Sequence, residues 1–206
     1  DLDGDGLPDV VVPATDGQLY AFSAAGVAKP GWPVSIGGVE DQFGGQVINS
    51  SPQLADLDGN GSLEIIVGST DQHVYAFNAD GSVRWTYETD DMVLSTPAVG
   101  DLDVSSAGLE TIVGSGDGYV YCLDAGNGRL LWRFRVAPLE RRIMVYGRLA
   151  SNWPVNSGVL VHDGTAYAAA GIVFRDGTHV VALDARSGEL RWHNGTAGRP
   201  INERYE

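Results

Sequence analysis

A single cysteine, Cys122, stands among 206 residues, so no disulfide can close within the chain and no cysteine-based metal cluster can form. Basic residues are scarce: 13 Lys and Arg face 27 Asp and Glu, for a formal net charge of −14. That balance excludes nucleic acid as a partner, because phosphate backbones are bound through basic surfaces; anionic membrane faces are repelled in the same way. No apolar run is long enough to span a bilayer and no leader pattern opens the chain, so direct membrane insertion is not expected. Sustained helical periodicity is missing too, and only "PLERRIMVYGRL" (138–149) could hold a short helix. The chain opens at Asp1 inside a motif, which reads as a mature or partial segment of a longer polypeptide.

What is plentiful is glycine, 28 of 206, about twice the ~7% of an average chain. No collagen period accompanies it, so the glycines read as turns. Hydrophobic residues make up 43%, enough for a packed core.

The turns recur on a period. "SSPQLADLDGNGSLEIIVGSTDQHVYAFNADGSVRW" from Ser50 aligns with "STPAVGDLDVSSAGLETIVGSGDGYVYCLDAGNGRLLW" from Ser95. A shorter copy starts at Asp1, and a diverged one at Ser157. Trp32, Trp85, Trp132 and Trp192 fall in register across the four. Within each unit, β-branched and aromatic runs such as "EIIVGS" and "HVYAFNA" are separated by Asp-Gly and Asn-Ala-Asp-Gly turns, giving four short strands. Four short antiparallel strands repeated near every 45 residues predict the blades of an all-β propeller. The units fall at about 1–38, 49–90, 95–137 and 152–198, with insertions near 39–48 and 138–151. The first unit lacks the strand that precedes the acidic turn elsewhere. The expectation is an open arc of about four blades, part of a larger ring.

Two acidic turns carry the chemistry. "DLDGDGLPD" sets Asp1, Asp3, Asp5, the Leu7 carbonyl and Asp9 at alternate positions; "DLDGNGSLE" offers Asp56, Asp58, Asn60, the Ser62 carbonyl and Glu64. A hard cation such as Ca²⁺ takes six to eight oxygens, and a loop of this spacing can supply them. The competing reading is an Asp-Gly turn whose carboxylates cap backbone amides. The third copy, "DLDVSSAGLE", keeps Asp101 and Asp103 but shifts Glu110 by one place, and no metal is expected there.

These motifs carry a resemblance. "ALDARSGELRW" (Ala182, Asp184, Gly188, Trp192) and "CLDAGNGRLLW" (Cys122, Asp124, Gly128, Trp132) resemble the tryptophan-docking motif of quinoprotein-type, PQQ-like propellers. The resemblance implies that each Trp packs on the adjacent blade. The acidic turns resemble the calcium loops of FG-GAP/VCBS, integrin-like repeats. Both families imply a location outside the cytoplasm: periplasmic, cell-surface or secreted.

The remaining residues assemble no catalytic set. His73 and His179 precede corresponding strands of two units and read as blade-surface positions. Cys122 replaces the small alanine of the docking motif and reads as a buried thiol. Arg133, Arg135, Arg141, Arg142 and Arg148 form a local basic segment that could dock an acidic partner, bind a carboxylate, or stay solvated. The expected function is a non-catalytic, extracytoplasmic scaffold for protein partners, a subunit of a larger assembly, with structural Ca²⁺. The alternatives are part of a PQQ-dependent dehydrogenase and a carbohydrate-binding propeller. The first would need the vicinal cysteine pair that the resemblance implies and this chain lacks, so PQQ is not expected here. The second would need an exposed aromatic pair.

Overall fold

A computed structural model describes residues 1–37, 50–102, 108–145, 148–172 and 177–197. These residues form strands and turns with no helix among them, so none is long and apolar enough to cross a membrane. The first sheet joins β1 (Val10–Pro13), β2 (Gln18–Phe22) and β3 (Val34–Ser35). The second is β4 (Gln53–Ala55), β5 (Glu64–Gly68), β6 (His73–Phe77) and β7 (Val83–Glu88). The third is β8 (Ala98–Gly100), β9 (Glu110–Gly114), β10 (Tyr119–Asp124) and β11 (Leu130–Arg135). A hairpin of β12 (Arg142–Val145) and β13 (Arg148–Ser151) follows. The last sheet is β14 (Leu160–His162), β15 (Thr165–Ala170), β16 (Thr178–Asp184) and β17 (Leu190–Ala197). Each of the larger sheets is an antiparallel meander of sequential strands, and the chain is a run of propeller blades.

Alternation along the strands explains why the sheets stack. On β5, Ile65 and Val67 join the cluster shared with the first sheet, around Leu19, Trp32 and Phe77. Ile66, between them, joins the cluster shared with the third sheet, around Trp85, Tyr121 and Leu123. On β9 and β10, Val113, Tyr121 and Leu123 face back, while Ile112, Val120 and Cys122 face the fourth sheet's Ala168, Val181 and Leu183. A period of two on a central strand thus feeds two cores, and that is why "EIIVG" and "ETIVG" are buried at every position. The expected thiol is buried, and burial together with the nearby Glu110 raises its pKa.

The one segment whose sequence could hold a helix does not do so: among the described residues of 138–149 none is helical, and Arg142–Val145 and Arg148–Ser151 pair as antiparallel strands, with Met144 opposite Leu149. β-branched Ile143 and Val145 suit a strand better than a helix, and cross-strand backbone bonds outweigh the helix propensity of Leu, Arg and Met. The insertion near 39–48 and Asp103 lie outside the described residues.

Candidate functional site

Each acidic turn is built first by its leading aspartate. Asp1 accepts the amides of Gly4 (2.7 Å), Asp5 (3.1 Å) and Gly6 (2.8 Å); Asp56 accepts those of Gly59 (2.7 Å), Asn60 (3.1 Å) and Gly61 (2.9 Å). The backbone can fold round one carboxylate because Gly4, Gly6, Gly59 and Gly61 all take positive φ. The amides that Asp56 accepts, Gly61's foremost, hold its pKa below the usual carboxylate range. The ninth residue closes the turn on its second: Leu2 donates to Asp9 (2.6 Å) and Leu57 to Glu64 (2.8 Å). In the third unit Leu102 donates to Glu110 (2.8 Å), so the shifted acid keeps the same backbone task.

The structure brings together Asp1, Asp3 and Asp9 in one turn and Asp56, Asp58 and Glu64 in the other, with carboxylate oxygens within 4.8 Å of one another. Asp5 and Asn60 instead turn an oxygen to the amides of Leu7 (2.8 Å) and Ser62 (2.7 Å). Amide capping and carboxylate convergence are both present, and Asp1, Asp9, Asp56 and Glu64 take part in both, while Asp5 and Asn60 only cap.

The two turns differ in their counter-charge. Lys29 is 7% exposed, and its Nζ reaches Asp3 at 2.7 Å and Asp9 at 2.8 Å. Burial works against that ammonium, but the bonds to Asp3 and Asp9 prevail and its pKa is raised. Burial likewise opposes the Asp9 carboxylate, and Lys29 and the Leu2 amide still bring its pKa below the ordinary value. Asp9 Oδ1 is buried and has no hydrogen-bond partner among the described residues. In the second turn a single arginine, Arg84, meets Asp58 alone (2.9 Å) and also ties Asn78 and the Gly126 carbonyl. The chemistry of that donor set, all hard oxygen with Glu64 only 2% exposed, fits Ca²⁺. The first turn fits it less well, since an ammonium already bridges two of its three converging acids.

Three of the four in-register tryptophans pack on the following blade as the resemblance implies. Trp32 Nε1 donates to the Ala79 carbonyl (3.0 Å), Trp85 to Ala125 (2.8 Å) and Trp132 to Ala185 (3.1 Å), each in the following blade. Trp192 is 47% exposed and lies beside Tyr167. Trp153, outside the repeat, is buried edge-on to His179.

Two arrangements went unseen in the sequence. Tyr20, Tyr75 and Tyr121 each donate to an aspartate four residues earlier, Asp16, Asp71 and Asp117, at 2.6–2.7 Å. The in-register "D-x-x-x-Y" was the available signal. His179 is no surface residue: it is buried, with Nδ1 2.9 Å from Nε2 of His193 on the neighbouring strand. His73, half-buried, contacts Asp71 instead.

Comparison with known proteins agrees with this geometry. Residues 1–67 match the FG-GAP-like repeat, and residues 116–204 match the family described as outer membrane protein assembly factor BamB. The chain is a β-propeller repeat protein. Its opening repeats are FG-GAP-like and its closing ones PQQ-like. Two curated relatives are λ-carrageenases, from a Pseudoalteromonas species (32% identical) and Pseudoalteromonas carrageenovora (31%); each match spans 85 residues, 41% of this chain and 8% of the relative. A quinohemoprotein alcohol dehydrogenase from Pseudomonas putida superposes with a TM-score of 0.66 at 18% identity, over 94% of this chain and 33% of its own. The computationally designed Ika8 protein superposes at 0.58 and 16% identity, over 94% of this chain and 48% of its own. The chain thus spans under a tenth of the curated relatives and about a third of the first structural neighbour, and at these identities the neighbours establish the fold alone.

Proposed function

We propose that this chain is a non-catalytic propeller module that acts outside the cytoplasm as a scaffold for protein partners, with Ca²⁺ stiffening the turn that opens its second blade. The observation that carries the metal reading is the convergence of Asp56, Asp58 and buried Glu64 around one point. Asp56 holds the loop backbone through three amides, and Glu64 belongs to β5, so a cation shared between them joins loop to blade. Ca²⁺ supplies charge neutralisation and a fixed point there, with no open chemistry required of it. In the first blade Lys29 performs that neutralisation from within the chain.

The scaffold reading is supported by where the polar residues go. Tyr–Asp pairs, tryptophan nitrogens and leading aspartates are spent on blade turns and blade contacts. The hairpin β12–β13 presents Met144 and Leu149 at 67% and 58% exposure, apolar surface that suits a protein partner. The likeness of the closing repeats to the family described as outer membrane protein assembly factor BamB supports the extracytoplasmic location, where Ca²⁺ would be plentiful for the acidic turn.

Calorimetric titration of chelator-treated protein is the test. One Ca²⁺ site is expected, lost in Glu64→Gln, which keeps an acceptor for the Leu57 amide but removes the charge. Absence of heat in the unmodified protein would remove the metal from this reading. A dye-linked assay with added PQQ and Ca²⁺ separates the scaffold from the quinoprotein alternative, since turnover there would overturn a non-catalytic role.

The carrageenase relatives favour a second reading, a propeller segment of a polysaccharide-acting enzyme. Trp192 beside Tyr167 is the aromatic surface such a module would use. Retardation of the chain in a gel containing λ-carrageenan, abolished by Trp192→Ala, would favour it over the scaffold.

A further inference from the structure

The basic segment has a second face, absorbed by neither the blades nor the acidic turns. A cleft of about 210 Å³ lies between β11 and β17, walled by Arg135, Val136, Pro138, Val181, Leu190 and His193. Arg135 and His193 are the ionisable residues of that wall, and no carboxylate lines it among the described residues. In a protein of net charge −14 a cleft whose titratable lining is wholly basic is set apart from its surroundings.

His193 is held in place by its neighbour. Its Nε2 meets His179 Nδ1 at 2.9 Å, the ring centroids are 5.2 Å apart, and the planes differ by 18°. Two ring radii and the N···N distance laid end to end account for that centroid separation. The rings therefore meet edge to edge, with an N–H of one aimed at the lone pair of the other. Face-to-face stacking would not bring two nitrogens so close. Trp153 stands edge-on to His179 at 5.9 Å, and Gly195 makes room: a Cβ there would fall 3.0 Å from His179 Nδ1 and 3.2 Å from His193 Cε1. With Nε2 committed, Nδ1 is the nitrogen left to His193 for a ligand. With His179 Nδ1–H donating to His193 Nε2, the His193 ring keeps its own N–H at Nδ1 as a donor.

We propose that this cleft binds a small organic carboxylate with a short apolar tail. Arg135 offers a planar pair of donors to the carboxylate, His193 a further donor, and Val136, Pro138, Val181 and Leu190 take the tail. The volume, below the usual range of about 300–1,000 Å³ for ligand pockets, restricts the ligand to a few carbons.

Butyrate is the probe, titrated into ¹⁵N-histidine-labelled protein and followed by the imidazole resonances. Saturable shifts of the His179 and His193 signals are expected. Arg135→Gln should abolish them, while Arg141→Gln with Arg142→Gln, in the same segment but outside the cleft wall, should not. Butanol and butylamine, of equal tail and different charge, should fail to saturate. If Arg135→Gln does not fold, His193→Leu, which removes the second donor, carries the same comparison read at the His179 signal. Equal shifts with butanol, shifts indifferent to either variant, or no saturable shift with butyrate would each overturn the proposal.

Discussion

The indole of Trp85 lies against the backbone of Gly128 in the next blade, so close that a Cβ on that glycine would fall 2.7 Å from two ring carbons. Trp132 and Gly188 repeat the relationship at 2.6 Å. Gly128 also holds φ at +74°, where an L side chain costs about 1–2 kcal/mol, and overpacking adds about 1–3 kcal/mol. Gly128→Ala should therefore lose several kcal/mol in urea unfolding. Gly164→Ala, with φ of +65° and nothing within 4 Å, should lose only the backbone part. Trp85→Ala should cost about 3–5 kcal/mol. In the double variant the steric part of the Gly128 penalty should vanish, so the two losses should sum to more than the pair together.

The position of Lys29 makes a different prediction. Its side chain is 6% exposed and that of Asp9 1%, and removing one member of a buried pair costs about 3–5 kcal/mol. Lys29→Met should be destabilised by about that amount in chelator. Ca²⁺ should then restore more of the melting temperature than it adds to the unmodified protein, and calorimetry should count one more site. A variant as stable as its parent and indifferent to Ca²⁺ would mean that Lys29 is not the counter-ion of the first turn.

Chelation should lower the melting temperature of the unmodified chain without removing its β-sheet signal in circular dichroism. A ligand at a hundred times its dissociation constant adds about 2.7 kcal/mol to the folded state, far less than three interblade cores contribute. Glu64→Gln should melt at one temperature with or without Ca²⁺. A collapse of the sheet signal on chelation would make the metal a condition of folding.

Much of this was legible because propeller blades write their contacts at fixed offsets. Trp85 and Gly128 sit in matching motifs, so their register could be read, and the leading aspartates announced themselves by alternate spacing. Lys29 could not be read the same way. It stands three residues before Trp32, whereas Arg84 directly precedes Trp85, so alignment on the tryptophan hides that both reach an acidic turn. The His179–His193 couple depends on a register shift in β16 between Thr178 and Val180, and a bulge leaves no mark in composition. The hairpin at Arg142–Ser151 was obscured by helix-favouring residues whose preference is weaker than cross-strand pairing.

The fourth blade carries a pH prediction with a defined sign. Arg191 bonds Asp184 at 2.7 Å and also meets Thr165 Oγ1, and with the amides of Ser187 and Arg186 it brings the Asp184 pKa to about 2. A carboxylate whose pKa is lower folded than unfolded stabilises the fold above its unfolded pKa, about 3.9, and that stabilisation is lost as pH falls through the folded value. The window is thus about pH 4 down to about pH 2, and the pair is half-exposed, so salt weakens it. Asp184→Asn keeps most of the turn's acceptors and removes the charge. Its unfolding midpoint should fall less steeply than the parent's across that window, and the difference should shrink in high salt. Parallel curves would show that the Arg191 contact stabilises this turn no better than a neutral hydrogen bond does.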